Sequence, residues 1–251
     1  MRLYNGIAKV YHDFRVSGKA VVNERIVNPA ALKALGNVRG KKILDIGCGT
    51  GIISLRLKRK GAEVSGIDLS LEMIEIAHSY AKGIEFKVGS AEKLPYKSGY
   101  FDAALALLVF DYIKNIDRAL KEVWRVTKEG GYFVIAMRNP IATASSKVRI
   151  RGRKLDSTSI RKFDRYFVER KVAHQWWTHD KRLMVTEYDL HRTYQTIIRA
   201  FIRNGFMIVD YTDPKMVGST RRRHPRWYNR LNNNLPQFCV FKLKKAKVSY
   251  D

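Results

Sequence analysis

The 251-residue sequence predicts an α/β fold in which a mostly parallel β-sheet carries helices on both faces. Strand-like and helix-like segments alternate through the first 136 residues, which is the pattern of repeated β-α-β units. The longest apolar run, residues 103–110, has the length of one buried strand and is expected at the centre of the sheet. Two strand-like segments near the end of the chain predict an antiparallel hairpin at one sheet edge.

The first half of the chain contains the predicted parallel strands and their crossover helices. The predicted strands are residues 42–47, 63–68, 84–88, 101–108 and 132–137. Glycine-rich or polar turns bound these segments, and the predicted helices between them are residues 51–60 and 71–82. Apolar residues at helical spacing predict one further helix, through Ile116, Leu120 and Val123, before a turn at Gly130-Gly131.

The second half predicts an insertion followed by a return to regular structure. Residues 138–186 are basic, rich in Ser, Thr and Arg, and lack a clean period, so we expect residues 140–190 to form a lid over the carboxyl edge of the sheet. The next apolar stripe has helical spacing and consists of Tyr194, Ile197, Ile198 and Phe201. Asn204-Gly205 ends that helix, and residues 206–211 and 237–244 form the hairpin. We expect one domain over residues 1–251.

Composition sets limits on the class of protein. Cys48 and Cys239 are the only cysteines, so neither a disulfide framework nor a metal site is expected. No apolar stretch is long enough to span a bilayer and the first ten residues lack the apolar core of a signal peptide, which predicts a cytoplasmic protein. The formal charge of +25 lies mostly in residues 141–251. It indicates either a solubilising surface or attraction to a polyanion, an anionic membrane surface or an acidic substrate.

A glycine-rich turn follows the first predicted strand. Gly47, Gly49 and Gly51 permit a sharp strand-to-helix turn and the close approach of a ligand, although this pattern alone also fits a simple tight turn. Asp45 precedes the first glycine, and Asp68 ends the second strand, where a carboxylate accepts hydrogen bonds from both hydroxyls of a ribose. The alternative role for Asp68 is a helix cap, for which Ser70 is the better candidate.

Four ordered segments carry a resemblance to a known family: ILDIGCGTG (43–51), GIDLSLEMIEIA (66–77), VGSAEKLPYKSGYFDAAL (88–105) and EVWRVTKEGGYFVIA (122–136). With them the chain resembles the class I S-adenosylmethionine-dependent methyltransferases, the Rossmann-like group with a seven-stranded sheet. Within that group it is similar to the ubiquinone/menaquinone-type branch, which acts on small molecules. The resemblance implies S-adenosylmethionine as the cofactor.

The resemblance also implies which residues bind the cofactor. The residues at matching positions are Tyr11, Asp45, Gly47, Cys48, Gly49, Gly51, Asp68, Leu69, Ser90 and Ala91. Asp68 would bind the ribose, and Leu69 and Ala91 would lie beside the adenine. Ser90 is a departure, because the family usually has an Asp there to meet the adenine amino group. A Ser hydroxyl accepts the same hydrogen bond without a charge.

The acceptor site is less well specified, because methyl transfer needs a general base only when the acceptor must lose a proton. The catalytic candidates are Asp111, His174 and His191, and the substrate-binding candidates are Tyr112, Trp176, Trp177 and Arg192. Each has a structural alternative: a helix cap for Asp111, a satellite core for the His174–Trp177 cluster, and a helix start for Arg192.

The sequence thus predicts an S-adenosylmethionine-dependent methyltransferase that acts on a small molecule, and the positive charge favours an anionic one. The alternative is an RNA or protein methyltransferase that uses the basic C-terminal third, where residues 221–228 interleave arginines with aromatic residues. A third hypothesis is a cofactor-binding protein without catalysis. The acceptor atom, the need for a base and the oligomeric state stay open.

Overall fold

The structure is a computed structural model that describes residues 6–18, 20–147, 161–163, 165–177, 183–216 and 235–246. Its helices are α1 (Ala8–Val16), α2 (Asn28–Leu35), α3 (Ile52–Arg59), α4 (Leu71–Tyr80), α5 (Ile116–Val126), α6 (Pro140–Ala144) and α7 (Tyr194–Arg203), with a π-helical turn over Asn23–Val27. Its strands are β1 (Lys42–Ile46), β2 (Glu63–Asp68), β3 (Glu85–Val88), β4 (Phe101–Leu107), β5 (Thr127–Arg138), β6 (Ser145–Lys147), β7 (Arg161–Phe163), β8 (Arg170–Trp177), β9 (Leu183–His191), β10 (Phe206–Thr212) and β11 (Phe238–Lys245).

Seven of these strands form one twisted sheet in the order β10-β11-β5-β4-β1-β2-β3. The pairings from β3 across to β5 are parallel, whereas β11 is antiparallel to both β5 and β10. This arrangement confirms the predicted Rossmann-like sheet and its antiparallel edge pair. The last strand inserts between β5 and β10, so β10 forms the edge.

Helices cover both faces of the sheet because its central strands are apolar on both sides. In β4, Ala104 and Ala106 pack into a core shared with α5 and α7. The alternate residues Ala103 and Leu105 pack into a second core shared with α2, α3 and α4. Successive side chains of a strand point to opposite faces, so the continuous apolar run 103–110 correctly predicted a strand buried on both sides.

The strand β5 begins earlier than predicted. Phe101 of β4 pairs with Thr127, whereas Ala103 pairs with Tyr132, so residues 128–131 bulge between two paired stretches. The predicted turn at Gly130-Gly131 therefore lies inside β5 as an irregularity. A Cβ atom at Gly131 would lie 2.8 Å from the carbonyl oxygen of Asp102, so the two backbones approach too closely there for a side chain.

The region without a clean period contains strands that the sequence analysis did not predict. β8 and β9 form a separate antiparallel two-stranded sheet, and β6 pairs with β7. In β9 the buried positions Glu187, Asp189 and His191 alternate with Tyr188, which is 51% exposed. The polarity of this strand is thus inverted, and a search for alternating apolar residues on the buried side overlooks it. The role of residues 140–190 as a lid stays a prediction.

Across the described residues, none of the helices combines the length and the apolar character needed to cross a bilayer.

The packing of the glycine-rich turn against the end of β4 leads to a stability prediction. Gly47 has a φ of +66°, and a Cβ there would lie 2.1 Å from Cγ2 of Val109. Gly47→Ala is therefore expected to lower the free energy of unfolding by roughly 2–5 kcal/mol, the sum of backbone strain and overpacking, measured by urea denaturation.

The matched control is Gly49→Ala. Gly49 also has a positive φ, +53°, but a Cβ there would meet no atom within 4 Å. This variant is expected to lose only the conformational term of about 1–2 kcal/mol. Adding Val109→Ala to Gly47→Ala is expected to restore part of the stability. Equal losses at the two glycines would contradict the close contact.

Candidate active site

The glycine-rich turn lies at the carboxyl ends of β1 and β2. The backbone N–H groups of Gly47 and Cys48 both donate to the carbonyl oxygen of Ile67, over 2.7 and 3.0 Å. Gly51 then begins α3 in the left-handed conformation, with a φ of +75°. A Cβ at Gly51 would lie 2.9 Å from the ring of Phe86 in β3 and 3.3 Å from Cβ of Ala77 in α4, so the end of the turn packs closely against these two elements.

Asp68, at the end of β2, lies next to this turn. Its Oδ2 accepts a hydrogen bond from the Gly49 N–H over 3.0 Å, and its Oδ1 accepts one from the Ser70 N–H over 2.9 Å. Burial raises the pKa of Asp68, while these backbone hydrogen bonds oppose the rise. The Ser70 hydroxyl accepts from the Met73 N–H and caps α4, as predicted. Asp68 is therefore not needed as a cap.

The surroundings of Asp68 fit a bound nucleoside. The space beside Gly49 is open, and Leu69, the next residue after Asp68, is half exposed. Each carboxylate oxygen has a second lone pair beyond its backbone contact, so the carboxylate retains the capacity to accept hydrogen bonds from a diol.

Asp45 is buried behind the turn instead of facing solvent. Its Oδ2 accepts a hydrogen bond from the Ser54 hydroxyl of α3 over 2.6 Å. Burial raises the pKa of Asp45 to about 7, and the nearby Asp68 contributes to the rise although the Ser54 hydrogen bond opposes it. Burial also raises the pKa of the Cys48 thiol. Ser54 was not predicted as part of the site.

The helix α1 approaches the turn from the other side. Nδ1 of His12 lies 2.9 Å from the Thr50 hydroxyl, which connects α1 to the glycine-rich turn. Arg15 donates to the Tyr11 hydroxyl over 2.7 Å and pairs with Glu24 over 3.4 Å. Tyr11 thus lies near the turn, held by an arginine that sequence reasoning missed.

Ser90 and Ala91 follow β3 in a short turn. The Ser90 hydroxyl accepts from the Glu92 N–H, and the Ser90 carbonyl accepts from the Lys93 N–H, both over 3.1 Å. Ala91 is buried. Because a hydroxyl oxygen has two lone pairs, the Ser90 hydroxyl retains the capacity to accept one further hydrogen bond.

The chain leaves β4 through a sharp turn that reaches the glycine-rich turn. Leu108 adopts a φ of +57°, and Val109 then packs on Gly47. Phe110 is buried with its ring centroid 5.5 Å from that of Phe133, which anchors the turn in the core. Asp111 is consequently held close to the predicted donor site.

Asp111 is buried and bonded to the end of β5. Both of its carboxylate oxygens lie 3.1 Å from the backbone N–H of Arg138, which donates to them. Burial raises the pKa of Asp111 to about 7, and the charge of Asp189 adds to the rise while Arg138 opposes it. Asn115 caps α5 through the Arg118 N–H, so the alternative role of Asp111 as a helix cap is wrong.

Two further acids from β9 meet Asp111, and the sequence analysis did not single them out. The Tyr112 hydroxyl donates to Oε2 of Glu187 over 2.5 Å. Asp189 is 2% exposed, and its Oδ2 lies 3.7 Å from Nε of Arg138. Burial raises the pKa of Asp189. The signal that reveals them is the run of polar residues at alternate positions, Glu187, Asp189 and His191, which places all three on one face of a strand.

His191 and Arg192 join this hairpin to the rest of the domain. The ring nitrogens of His191 contact the Thr143 hydroxyl at 2.6 Å and the Tyr166 carbonyl at 2.8 Å. The Arg192 guanidinium donates to three carbonyl oxygens of the segment after β4, those of Phe110, Ile113 and Lys114. Since both side chains are buried and engaged, the geometry favours structural roles for them.

Three candidates are placed only by their backbones. His174, Trp176 and Trp177 lie in β8, where His174 pairs with Glu187 across the hairpin. Their side chains, and the basic run at residues 221–228, lie outside the described residues. In the described part of the chain, no group of His, Cys, Asp and Glu residues has the arrangement of a metal site.

Comparison with known proteins gives the site its context. The methyltransferase domain family matches residues 44–135. A crystal structure of an S-adenosylmethionine-dependent methyltransferase from Mesorhizobium loti superposes with a TM-score of 0.69 at 27% identity, covering 86% of this chain and 96% of that one.

Two curated relatives match a shorter stretch. The ubiquinone biosynthesis O-methyltransferase of Pelagibacter ubique is 34% identical over 54% of this chain and 58% of its own length. The demethylmenaquinone methyltransferase of Streptomyces avermitilis is 36% identical over 45% of this chain and 48% of its own length. The chain therefore spans about half the length of these two enzymes.

The sheet order, the glycine-rich turn, the Asp68 carboxylate and these matches agree. Together they identify an S-adenosylmethionine-dependent methyltransferase with the class I fold, whose domain match covers residues 44–135. It is an enzyme, and its methyl donor is S-adenosylmethionine.

The burial of Asp111 leads to a prediction about stability and pH. Its folded-state pKa lies above the ordinary value of 3.8, at about 7, so the folded protein holds this proton more tightly than the unfolded chain. That contribution is present at low pH and is lost as the pH rises toward 7. Asp111→Asn is therefore expected to gain about 2 kcal/mol of stability relative to the unmutated protein between pH 5 and pH 8, measured by urea denaturation at both pH values.

Asp102→Asn is the matched control at the opposite end of β4. Asp102 accepts from Lys128 over 2.6 Å, and its pKa is lowered despite some desolvation, so it is ionised throughout this range. The stability difference between this variant and the unmutated protein is expected to stay constant from pH 5 to pH 8. The prediction fails if Asp111→Asn behaves in the same way.

Proposed function

We propose that the enzyme transfers a methyl group from S-adenosylmethionine to a small molecule held between the glycine-rich turn and the β8–β9 hairpin. One observation carries this proposal: the turn after β4 packs on Gly47 through Val109 and bonds to β9 through Asp111, whose carbonyl oxygen accepts the Leu190 N–H over 2.7 Å. The donor turn and the polar face of β9 therefore flank the same short segment.

For the donor, we propose that Asp68 binds the ribose hydroxyls through the lone pairs left over from its two backbone contacts. The open space beside Gly49 accommodates the donor chain, and Tyr11 covers it from α1. The adenine lies against Leu69 and Ala91, with Ser90 as the polar contact. Asp45 and Cys48 are buried and shape the turn, and Gly47 and Gly51 allow its close packing.

For the acceptor, we propose a compound of the quinone-precursor type. The curated relatives named above act on such compounds, and their similarity to this chain supports the idea. The expectation of an anionic acceptor came from the net charge of the whole chain. The described side chains near the turn after β4 give it less support than the net charge does. They include the buried acids Asp111, Glu187 and Asp189, whereas Arg192 already donates to backbone carbonyls.

We also propose that the β8–β9 hairpin serves as the lid that excludes water from the reacting atoms. Its attachment to the segment after β4, at the carboxyl edge of the sheet, supports this role. The substrate wall would then include Tyr112, which bonds to Glu187, and the Trp176 and Trp177 side chains of β8.

Donor binding provides the first test. Asp68→Ala is expected to weaken S-adenosylmethionine binding by about 1.5–3 kcal/mol, because it removes a charged hydrogen-bond acceptor, as measured by calorimetry. The control is Glu63→Ala at the exposed amino end of the same strand, which is expected to leave the affinity unchanged. Unchanged affinity in a folded Asp68→Ala protein would refute the donor site.

The nature of the acceptor provides the second test. With labelled S-adenosylmethionine, we expect label to enter the small-molecule fraction of a cell extract and not total RNA. Replacing Arg221, Arg222 and Arg223 together by Ala is expected to leave that turnover largely intact, since on this proposal these charges affect the encounter rate and not the recognition of the acceptor. Label confined to a defined RNA, lost in the triple variant and in high salt, would favour the RNA alternative instead.

A further inference from the structure

We infer that the buried carboxylates of β9 and of the turn after β4 recognise a neutral hydroxyl group on the acceptor, with Asp189 as the group that accepts its hydrogen bond and then its proton. The acceptor class is therefore an alcohol or phenol that is methylated on oxygen. This inference rests on the proposed function, because it names the substrate chemistry of that same site.

Asp189 is the member of the cluster that lacks a complete set of partners. Its Oδ1 is buried and has no hydrogen-bond partner among the described residues. Asp111, in contrast, accepts from the Arg138 N–H with both oxygens, and Glu187 accepts from the Tyr112 hydroxyl. The buried Nε of Arg138, 3.7 Å from Oδ2 of the same carboxylate, also has no hydrogen-bond partner among the described residues. An unsatisfied acceptor and an unsatisfied donor are both unfavourable when buried, and a hydroxyl group is able to donate to the first and accept from the second.

The pattern of β9 points to the same place. Glu187 and Asp189 are buried while Tyr188 between them is half exposed, which is the reverse of the usual arrangement in a strand. Departures from the expected pattern are most often found at functional sites, where the structure retains an arrangement that stability alone would remove. The inverted face therefore needs a reason beyond packing, and a ligand contact supplies one.

The balance of charges favours a neutral donor over a cation or an anion. Three carboxylates face two guanidinium groups, those of Arg138 and Arg192. Burial raises the pKa of Asp111 to about 7, and the charge of Asp189 adds to the rise. Burial also raises the pKa of Asp189, and the charge of Glu187 adds to that rise. Three carboxylates against two guanidinium groups leave at most one net negative charge, and protonation of Asp111 reduces it, so the cluster does not require a charged ligand.

Several titratable and charged groups lie around Asp189. Arg138, Glu187, Tyr112 and Asp111 interact with it directly, Arg192 and Cys239 interact with Asp111, and His191 lies two residues further along β9. Both ring nitrogens of His191 contact hydrogen-bond partners, and burial raises the pKa of the Cys239 thiol.

Methyl transfer to a hydroxyl oxygen requires one group that accepts the hydroxyl proton. When bound, S-adenosylmethionine supplies the methyl carbon, whose bond to sulfur breaks with both electrons returning to sulfur as the acceptor oxygen forms the new bond to carbon. The hydroxyl proton passes to the Asp189 carboxylate, so the oxygen does not retain a positive charge. Arg138 orients this carboxylate, and Tyr112 and Glu187 hold the hairpin against the turn after β4.

A binding experiment tests the inference without relying on turnover. Three probes of equal size and different head group are added to the enzyme saturated with S-adenosylhomocysteine, and their binding is measured by ligand-observed NMR: 4-methylphenol, 4-methylbenzylamine and 4-methylbenzoate. We expect 4-methylphenol to bind most tightly, and its affinity to rise with pH through about 7 as Asp111, which interacts with Asp189, loses its proton.

The variant that tests Asp189 is Asp189→Asn, which keeps the side-chain shape. We expect it to weaken 4-methylphenol binding about tenfold or more and to flatten the pH dependence, because a hydrogen bond to a charged acceptor is lost. Asp102→Asn, at the far end of β4, is the control and is expected to change neither. Far-UV circular dichroism and the affinity for S-adenosylhomocysteine establish that each variant is folded.

The outcomes separate the two proposals. If S-adenosylhomocysteine binds and Asp189→Asn leaves 4-methylphenol binding unchanged, this inference is overturned while the methyltransferase assignment stands. Tightest binding of 4-methylbenzylamine would overturn the hydroxyl class in favour of an amine, and tightest binding of 4-methylbenzoate would restore the anionic acceptor. If no S-adenosylhomocysteine binds to the folded enzyme, the proposed function itself fails.

Discussion

The exit of the chain from β4 is the constraint on which both halves of the site depend. This strand lies at the centre of the sheet and is buried on both faces, so its end is fixed by two cores at once. Leu108 turns the backbone with a positive φ, which places Val109 on Gly47 and Asp111 against Arg138. A shift of this turn would disturb the donor turn and the acid cluster together.

The donor half of the site is predictable from the sequence because its determinants are local. Asp45, the glycine-rich turn and Asp68 lie within one β-α-β unit, where spacing along the chain translates directly into spacing in the fold. The helix cap at Ser70 follows from the same local logic. The structure adds what spacing does not carry: the Ser54 hydroxyl on Asp45 and the contact of His12 with Thr50.

The acceptor half resisted prediction for a physical reason. It combines residues from the end of β4, the end of β5 and strand β9, which are far apart along the chain. In addition, β9 turns acids inward, so the rule that buried positions are apolar concealed the strand itself. The alternation of Glu187, Asp189 and His191 is the only local trace, and it becomes informative once a strand is assumed.

The net charge of +25 and the buried charged groups carry different information about the acceptor. Exposed charges act through water and salt, which screen them over about 8–10 Å, whereas buried carboxylates act on a ligand at contact with little screening. The net surface charge therefore affects the solubility of the protein and the rate at which it meets a ligand. The few buried charged groups determine which ligand is recognised.

The family resemblance is confined to the part of the chain that contains the proposed donor site. The domain family matches residues 44–135, which contain the donor turn, Asp68 and Asp111, but not Arg138, Glu187 or Asp189. The matches to the quinone methyltransferases also cover about half of this chain or less. Similarity over that region reports on a shared methyl donor, because that is where the donor-binding elements lie. In the proposed site the acceptor lies against β9 and the end of β5, so the proposed acceptor chemistry is derived from their side chains.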